Sequence, residues 1–149
     1  MAERLTLDDI GCWVIKSQTP VVELSAGWDL GATRELTRCL RRSYRVHLMH
    51  PGQPCLLWVS GLQQPGVQAL GELTSVARPV DDPEATRPQI SVDVALRRLR
   101  RPIPRSALLA DHVLAAAEVL RMPAGSNPSF LSPSLWAALQ DFLDAEEAG

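Results

Sequence analysis

From Gln89 to Leu96 the chain alternates strictly, with Ile90, Val92, Val94 and Leu96 on one parity and mostly polar residues on the other. A period of two predicts a half-buried strand with those four side chains inward. The alternation loosens towards Ile103, leaving Arg97, Arg98, Arg100 and Arg101 outside, and Pro102 and Pro104 stop it. Cys55-Leu56-Leu57-Trp58-Val59 is instead a continuous apolar run between a Pro51-Gly52 turn and Gly61. It is too short for a normal helix and reads as a buried strand, with Trp58 and Ser60 on one face. Leu62 to Pro65 reads as a hairpin connection. The return strand from Gly66 carries Gly66 and Gly71, which suggest a bulge or a close backbone approach. Cys12 to Ser17 is the first strand, with Trp13, Ile15 and Ser17 on one side and Cys12, Val14 and Lys16 on the other.

Helical spacing is scarcer. Thr33 to Leu40 is expected to begin a helix, with Thr33 as cap and Leu36 and Leu40 on one face. A short helix fits Ser43 to Met49, and a longer helical region fits Ser106 to Leu120 with a break near Asp111. The last helix starts with Ser132 as N-cap and Pro133 in its first turn, and Leu135, Leu139, Phe142 and Leu143 form its apolar stripe. Trp28 lies between Gly27 and Gly31 in a loop, and Arg78 to Pro88 and Met122 to Ser129 are further loops. The order of elements is α+β, and successive antiparallel strands favour a small barrel over a parallel sheet.

Composition changes little in this picture. A chain of 149 residues with 46% hydrophobic and 21% charged residues is an ordinary globular domain. Residues 1–10 are expected to be an extension and residues 11–149 a single domain. No run approaches the ~18 apolar residues of a membrane span, and no basic-then-apolar leader is visible, so a cytoplasmic location is expected. Three widely spaced cysteines (Cys12, Cys39, Cys55) and three histidines form no zinc-like pattern, so neither a metal nor a cofactor is expected.

Charge is more telling. The net charge of −2 gives no bulk attraction to nucleic acid, yet the basic residues cluster at Arg34 to Arg45 and Arg97 to Arg105. Lys16 is the only lysine, an arginine bias that hints at a GC-rich bacterial genome.

Motifs for common enzyme chemistries are absent: no Walker loop, no GxGxxG after a strand, no GxSxG and no HExxH. The chain is expected not to be an enzyme, and the competing enzymatic reading would use Cys39 or His47. The four tryptophans carry more information. Trp13 and Trp136 suit core packing, Trp28 in its loop suits stacking on a flat ligand, and Trp58 is balanced between core and pocket wall.

Cys12-Trp13-Val14-Ile15-Lys16-Ser17 resembles the Y-W-x-x-K-S opening of EVE domains. The block from Ser43-Tyr44-Arg45 through Pro51-Gly52 and Leu56 to Gly61 to Gly71-Glu72 is similar to that family's central part. Val92-Asp93-Val94 with Pro102-Ile103, and Ser126 to Leu131 with the final helix, are similar to its later part. The EVE segment W-x-G-V-R-N-Y-x-A-R-N is not present; Thr37 to Arg45 stands in its place.

The resemblance covers about residues 11–145 and implies a PUA-like pseudo-barrel of about five to six strands surrounded by helices, related to YTH and ASCH domains. It further implies a module that reads a modified base, a modified cytosine or methylated adenine, in DNA or RNA through an aromatic-lined pocket. The residues it points to for the base are Lys16, Ser17, Trp28, Tyr44, Trp58, Ser60 and Asn127. Arg34, Arg38, Arg41, Arg42 and Arg45 would grip phosphate. The alternative is a sensor holding a free nucleoside in the same pocket.

Overall fold

The computed structural model describes residues 4–61, 65–80, 83–84 and 89–148. The hairpin connection expected at Leu62 to Pro65 and the loop expected at Arg78 to Pro88 therefore lie partly outside the described residues. In chain order the elements are β1 (Cys12–Ser17), α1 (Val21–Leu24), β2 (Thr33–Leu40), β3 (Pro54–Val59), β4 (Gly66–Leu73), β5 (Arg78–Val80) and β6 (Gln89–Pro104). These are followed by α2 (Arg105–Ala110), α3 (Glu118–Arg121), β7 (Ser129–Leu131) and α4 (Pro133–Ala148). Short 3-10 turns cover Leu7–Asp9, Tyr44–Leu48 and Leu114–Ala116.

The strands form one sheet in the order β2-β6-β4-β3-β1-β7, with β5 also paired to β6. β1 and β3 run parallel, and every other pair is antiparallel. The two ends of this order are drawn together where the Arg41 N–H donates to the Asn127 carbonyl at 2.8 Å. That bond closes the sheet into a pseudo-barrel.

Thr33 to Leu40, expected as the start of a helix, is a strand. All eight residues pair with β6, from Thr33 opposite Arg97 to Leu40 opposite Ile90. Leu36 and Leu40 share a face in a helix and in a strand alike, so their spacing did not discriminate. Three facts favour the strand: two threonines, an alternating exposed parity at Thr33, Glu35, Thr37 and Cys39, and the open edge of β6.

The expected close approach at the glycines is present. A Cβ at Gly71 would collide with the Ala95 carbonyl oxygen, and one at Gly66 with that of Ile103. The register between β4 and β6 also shifts between Val67 and Ala69.

Because β1 and β3 are covered on both faces, their side chains divide between two cores. Trp13, Ile15, Cys55, Leu57 and Val59 join Trp28, Leu40 and the inward residues of β6 inside the barrel. Cys12, Val14, Leu56 and Trp58 face outward against Leu108, Leu114, Leu120 and Leu139 from the helical layer. A strand buried on both faces reads as an unbroken apolar run, the pattern seen at Cys55 to Val59. Ser132 caps α4 by accepting the Leu135 N–H at 3.3 Å, and its apolar stripe packs on this outer core.

Candidate nucleic-acid interface

The seam that closes the barrel is built by Asn127. Its side-chain oxygen accepts the Lys16 N–H at 3.1 Å, its side-chain nitrogen donates to the Lys16 carbonyl at 3.4 Å, and its own carbonyl takes the Arg41 N–H. An amide side chain thus continues the edge of β1 as another strand would. Lys16 Nζ donates to the Pro123 carbonyl at 3.2 Å and Arg41 Nη1 to the Gly125 carbonyl at 3.4 Å. Burial lowers the Lys16 pKa, Glu118 opposes that shift, and the positive charges of Arg41 and Arg45 add to it. Three cationic side chains therefore share one neighbourhood.

Ser17 and Ser60 meet, and their polar groups are satisfied by protein. The Ser17 hydroxyl accepts the Thr19 N–H and donates to the Thr19 carbonyl, each at 3.0 Å. The Ser17 carbonyl accepts the Ser60 N–H at 2.8 Å and its hydroxyl at 3.4 Å.

Trp28 and Trp58 are on opposite sides of the sheet, so they do not line one cavity. Trp58 is 3% exposed in the outer core because its parity on β3 matches Leu56 and not Leu57. Trp28 is 2% exposed in the inner core, and its indole N–H donates to the Ala32 carbonyl at 2.8 Å. Arg98 secures the same loop by donating to the Trp28 carbonyl, and Arg34 donates to the Gly27 carbonyl. The loop tryptophan is thus a buried plug at the barrel end, with no free ring face for stacking in this conformation.

Tyr44 also stands apart. Its hydroxyl accepts the Leu5 N–H at 2.8 Å, and Arg4 lies over its ring. It borders a cavity of about 440 Å³ shared with Arg42, His47, Arg78 and Gln89. A second cavity, of about 690 Å³, lies between the end of β6 and α4, lined by Leu99, Arg100, Arg101, Ile103 and Phe142 among others.

The arginines expected on phosphate divide. Arg41 and Arg42 are exposed. Arg34 is exposed but bonded to its own loop, as above. Arg45 is half-buried in a clamp: both terminal nitrogens meet Glu118 at 2.8 and 2.9 Å, Nη1 also donates to the Pro128 carbonyl, and the guanidinium lies 5.3 Å from the Phe130 ring. That pairing raises the Arg45 pKa and lowers that of Glu118. Arg45 is therefore a structural tie between the 3-10 turn, α3 and β7, a role given to it by Glu118, which sequence reasoning missed. Arg38 lies between Leu36 and Leu40 on β2 and is half-buried, its Nε enclosed without a hydrogen-bond partner among the described residues.

Burial raises the thiol pKa of Cys12 well above its ordinary value and that of Cys55 to about 12, while Cys39 is exposed. Among the described residues no group of three or more His, Cys, Asp or Glu could hold a metal ion, and no helix is long and apolar enough to cross a membrane.

The mixed sheet and its helical layer make an α+β fold shared with the DUF55 domain of human thymocyte nuclear protein 1, which superimposes with a TM-score of 0.63 at 20% identity, over 93% of this chain and 99% of that one. No protein-family model and no curated protein sequence matches the chain; the likeness is to solved structures. A hypothetical protein from Leishmania major superimposes with a TM-score of 0.70 at 20% identity, over 95% of this chain and 99% of that one. A Pseudomonas putida protein gives 0.69 at 23% identity, over 87% and 97%. Human THYN1, solved in complex with DNA containing 5-methylcytosine, gives 0.60 at 18% identity, over 88% and 96%.

Proposed function

We propose that the chain is a non-enzymatic nucleic-acid-binding module that reads a modified base at the barrel mouth beside the C-terminal end of β1. Arg41, Arg42 and the partly desolvated Lys16 would hold phosphate there, and the Asn127 seam and the Ser17-Ser60 junction would frame the base. The carrying observation is the fold shared with human THYN1 on its 5-methylcytosine DNA. The cationic seam agrees with it, since a guanidinium is suited to planar, bidentate contacts with phosphate oxygens. Buried thiols with raised pKa values make poor nucleophiles, which weighs against catalysis at Cys12 or Cys55.

Extracting a base costs a few kcal/mol in duplex and less in a single strand. With Trp28 buried, edge hydrogen bonds and phosphate contacts would have to supply more of the return than stacking. Titration of oligonucleotides with and without the modified base over a salt series tests this. A preference for the modified strand with a negative salt slope supports the function; equal binding with no slope overturns it.

A free nucleoside in the same mouth is the second reading, favoured by the net charge of −2, which gives a polyanion no bulk attraction. Thermal stabilisation by mononucleosides, without oligonucleotide binding, would select it.

A further inference from the structure

The arginines at the end of β6 take no part in the mouth proposed above, and they border an apolar hollow. Leu99 and Ile103 turn towards the helical layer, where each is 3% exposed. β6 then runs straight into α2, since Pro104 closes the strand and Arg105 opens the helix. On the side facing the hollow α2 contributes only the methyl group of Ala107. The cavity of about 690 Å³ is therefore left open between β6, Ala107 and the half-buried Phe142 and Leu143 of α4. That size lies within the ~300–1,000 Å³ typical of small-molecule sites. Its apolar wall lacks dispersion partners that a ligand would restore.

The charge around the hollow has one sign. Arg97, Arg100 and Arg101 line it, and no acidic residue does. Arg100 and Arg101 are exposed, and among the described residues neither takes part in a hydrogen bond or an ion pair. Asp141 and Asp144 of α4 do not pair with them either. Pro102 and Pro104 have no N–H, so two backbone donors are missing from this wall and recognition of a polar head falls to the arginines. Arg100 is also positioned: its guanidinium lies against Gly31, where an added Cβ would come within 3.1 Å of Nη2 and 3.4 Å of Cζ and Nε. A positioned guanidinium with uncommitted donors matches a carboxylate or a phosphate, which it can hold through two parallel hydrogen bonds.

We propose that this hollow is a second binding site, for a small amphipathic anion. The apolar body of the ligand lies against Ile103, Ala107, Phe142 and Leu143, and its carboxylate or phosphate head is held by Arg100 and Arg101. The site is separate from the base-reading mouth and does not depend on it.

The test titrates the full chain by calorimetry and by amide NMR with decanoate, decyl phosphate, decanol and decyltrimethylammonium, all below micelle formation. One or both anions should bind with shifts at Leu99, Ala107 and Phe142, about tenfold or more tighter than decanol, as expected of charge-assisted hydrogen bonds. The tighter of the two anions identifies the head group. The double variant Arg100→Gln with Arg101→Gln should melt like the wild type and lose that advantage over decanol. Ala107→Leu, which fills the hollow, should weaken both anions about tenfold or more while keeping the melting temperature. No saturable anion binding, decanol or the cation binding as tightly as the anions, or shifts away from the hollow would each overturn the proposal. So would anion affinity that is unchanged in the double arginine variant or in Ala107→Leu.

Discussion

Glu118 holds together a corner that no single element could fix. Its carboxylate receives both terminal nitrogens of Arg45 and the Ser129 hydroxyl at 2.7 Å, joining α3 to β7 and to the turn after β2. Hydrogen bonding to Arg45 is the largest cause lowering its pKa below the ordinary 4.5. A carboxylate depressed in the folded state stabilises fully above its unfolded pKa, and that stability is lost as pH falls through the folded value. Glu118→Gln should therefore melt below wild type at neutral pH, by an amount of order 1–3 kcal/mol. The two stability curves should converge in acid, and parallel curves down to pH 3 would contradict this.

Trp28 carries a second residue-scale expectation. Trp28→Ala should cost about 3–5 kcal/mol, the range for emptying a large buried site, readable from urea unfolding. A fully stable variant would mean that the ring does not plug the barrel. Nothing local in Gly27-Trp28 announces this role. It depends on Ala32, 4 residues on, and on Arg98, 70 residues away.

At the scale of elements, β4 and β6 are pressed together at glycine. Gly71→Ala sets a methyl group against the Ala95 backbone carbonyl and should prevent folding or lower the melting temperature severely. Gly52→Ala is a control of another kind: φ is +91° with open space around it, so only backbone strain of about 1–2 kcal/mol is expected. Equal effects in the two variants would contradict the packing described.

Strands β1, β3, β4 and β6 were legible because their patterns are short-range: strict alternation, or an apolar run bounded by turns. The break in the helical region also fell where expected, since α2 ends at Ala110. β2 was not legible. Its inward leucines are four apart, a spacing helix and strand share, and only pairing with β6 decides between them.

For the whole molecule, the resemblance led to the right fold because several weak motifs occurred in the right order over nearly the whole chain. The site was only partly legible. Lys16, Ser17, Ser60 and Asn127 converge because they sit at strand ends and seams that the fold fixes. Trp58 lies on the other face of the sheet, and Arg45, although near Lys16, is taken up by Glu118, because the face of a strand and the partner of a charge are set by tertiary neighbours.

Nucleic acid binding through exposed Arg41 and Arg42 should show in salt. Alanine at either position should reduce the steepness of log K against log salt by about one while leaving base preference intact. A lost preference with an unchanged slope would assign these residues to the base and not to phosphate.

The most direct measurement of the central claim is an amide NMR titration of the protein with a single-stranded oligonucleotide bearing one 5-methylcytosine. The expected shifts gather at Lys16, Ser17, Arg41 and the Asn127 side-chain amide, and weaken with an unmodified strand. Shifts confined to the groove between Leu99 and Phe142, or none at saturating oligonucleotide, would contradict a base-reading mouth at this end of the barrel.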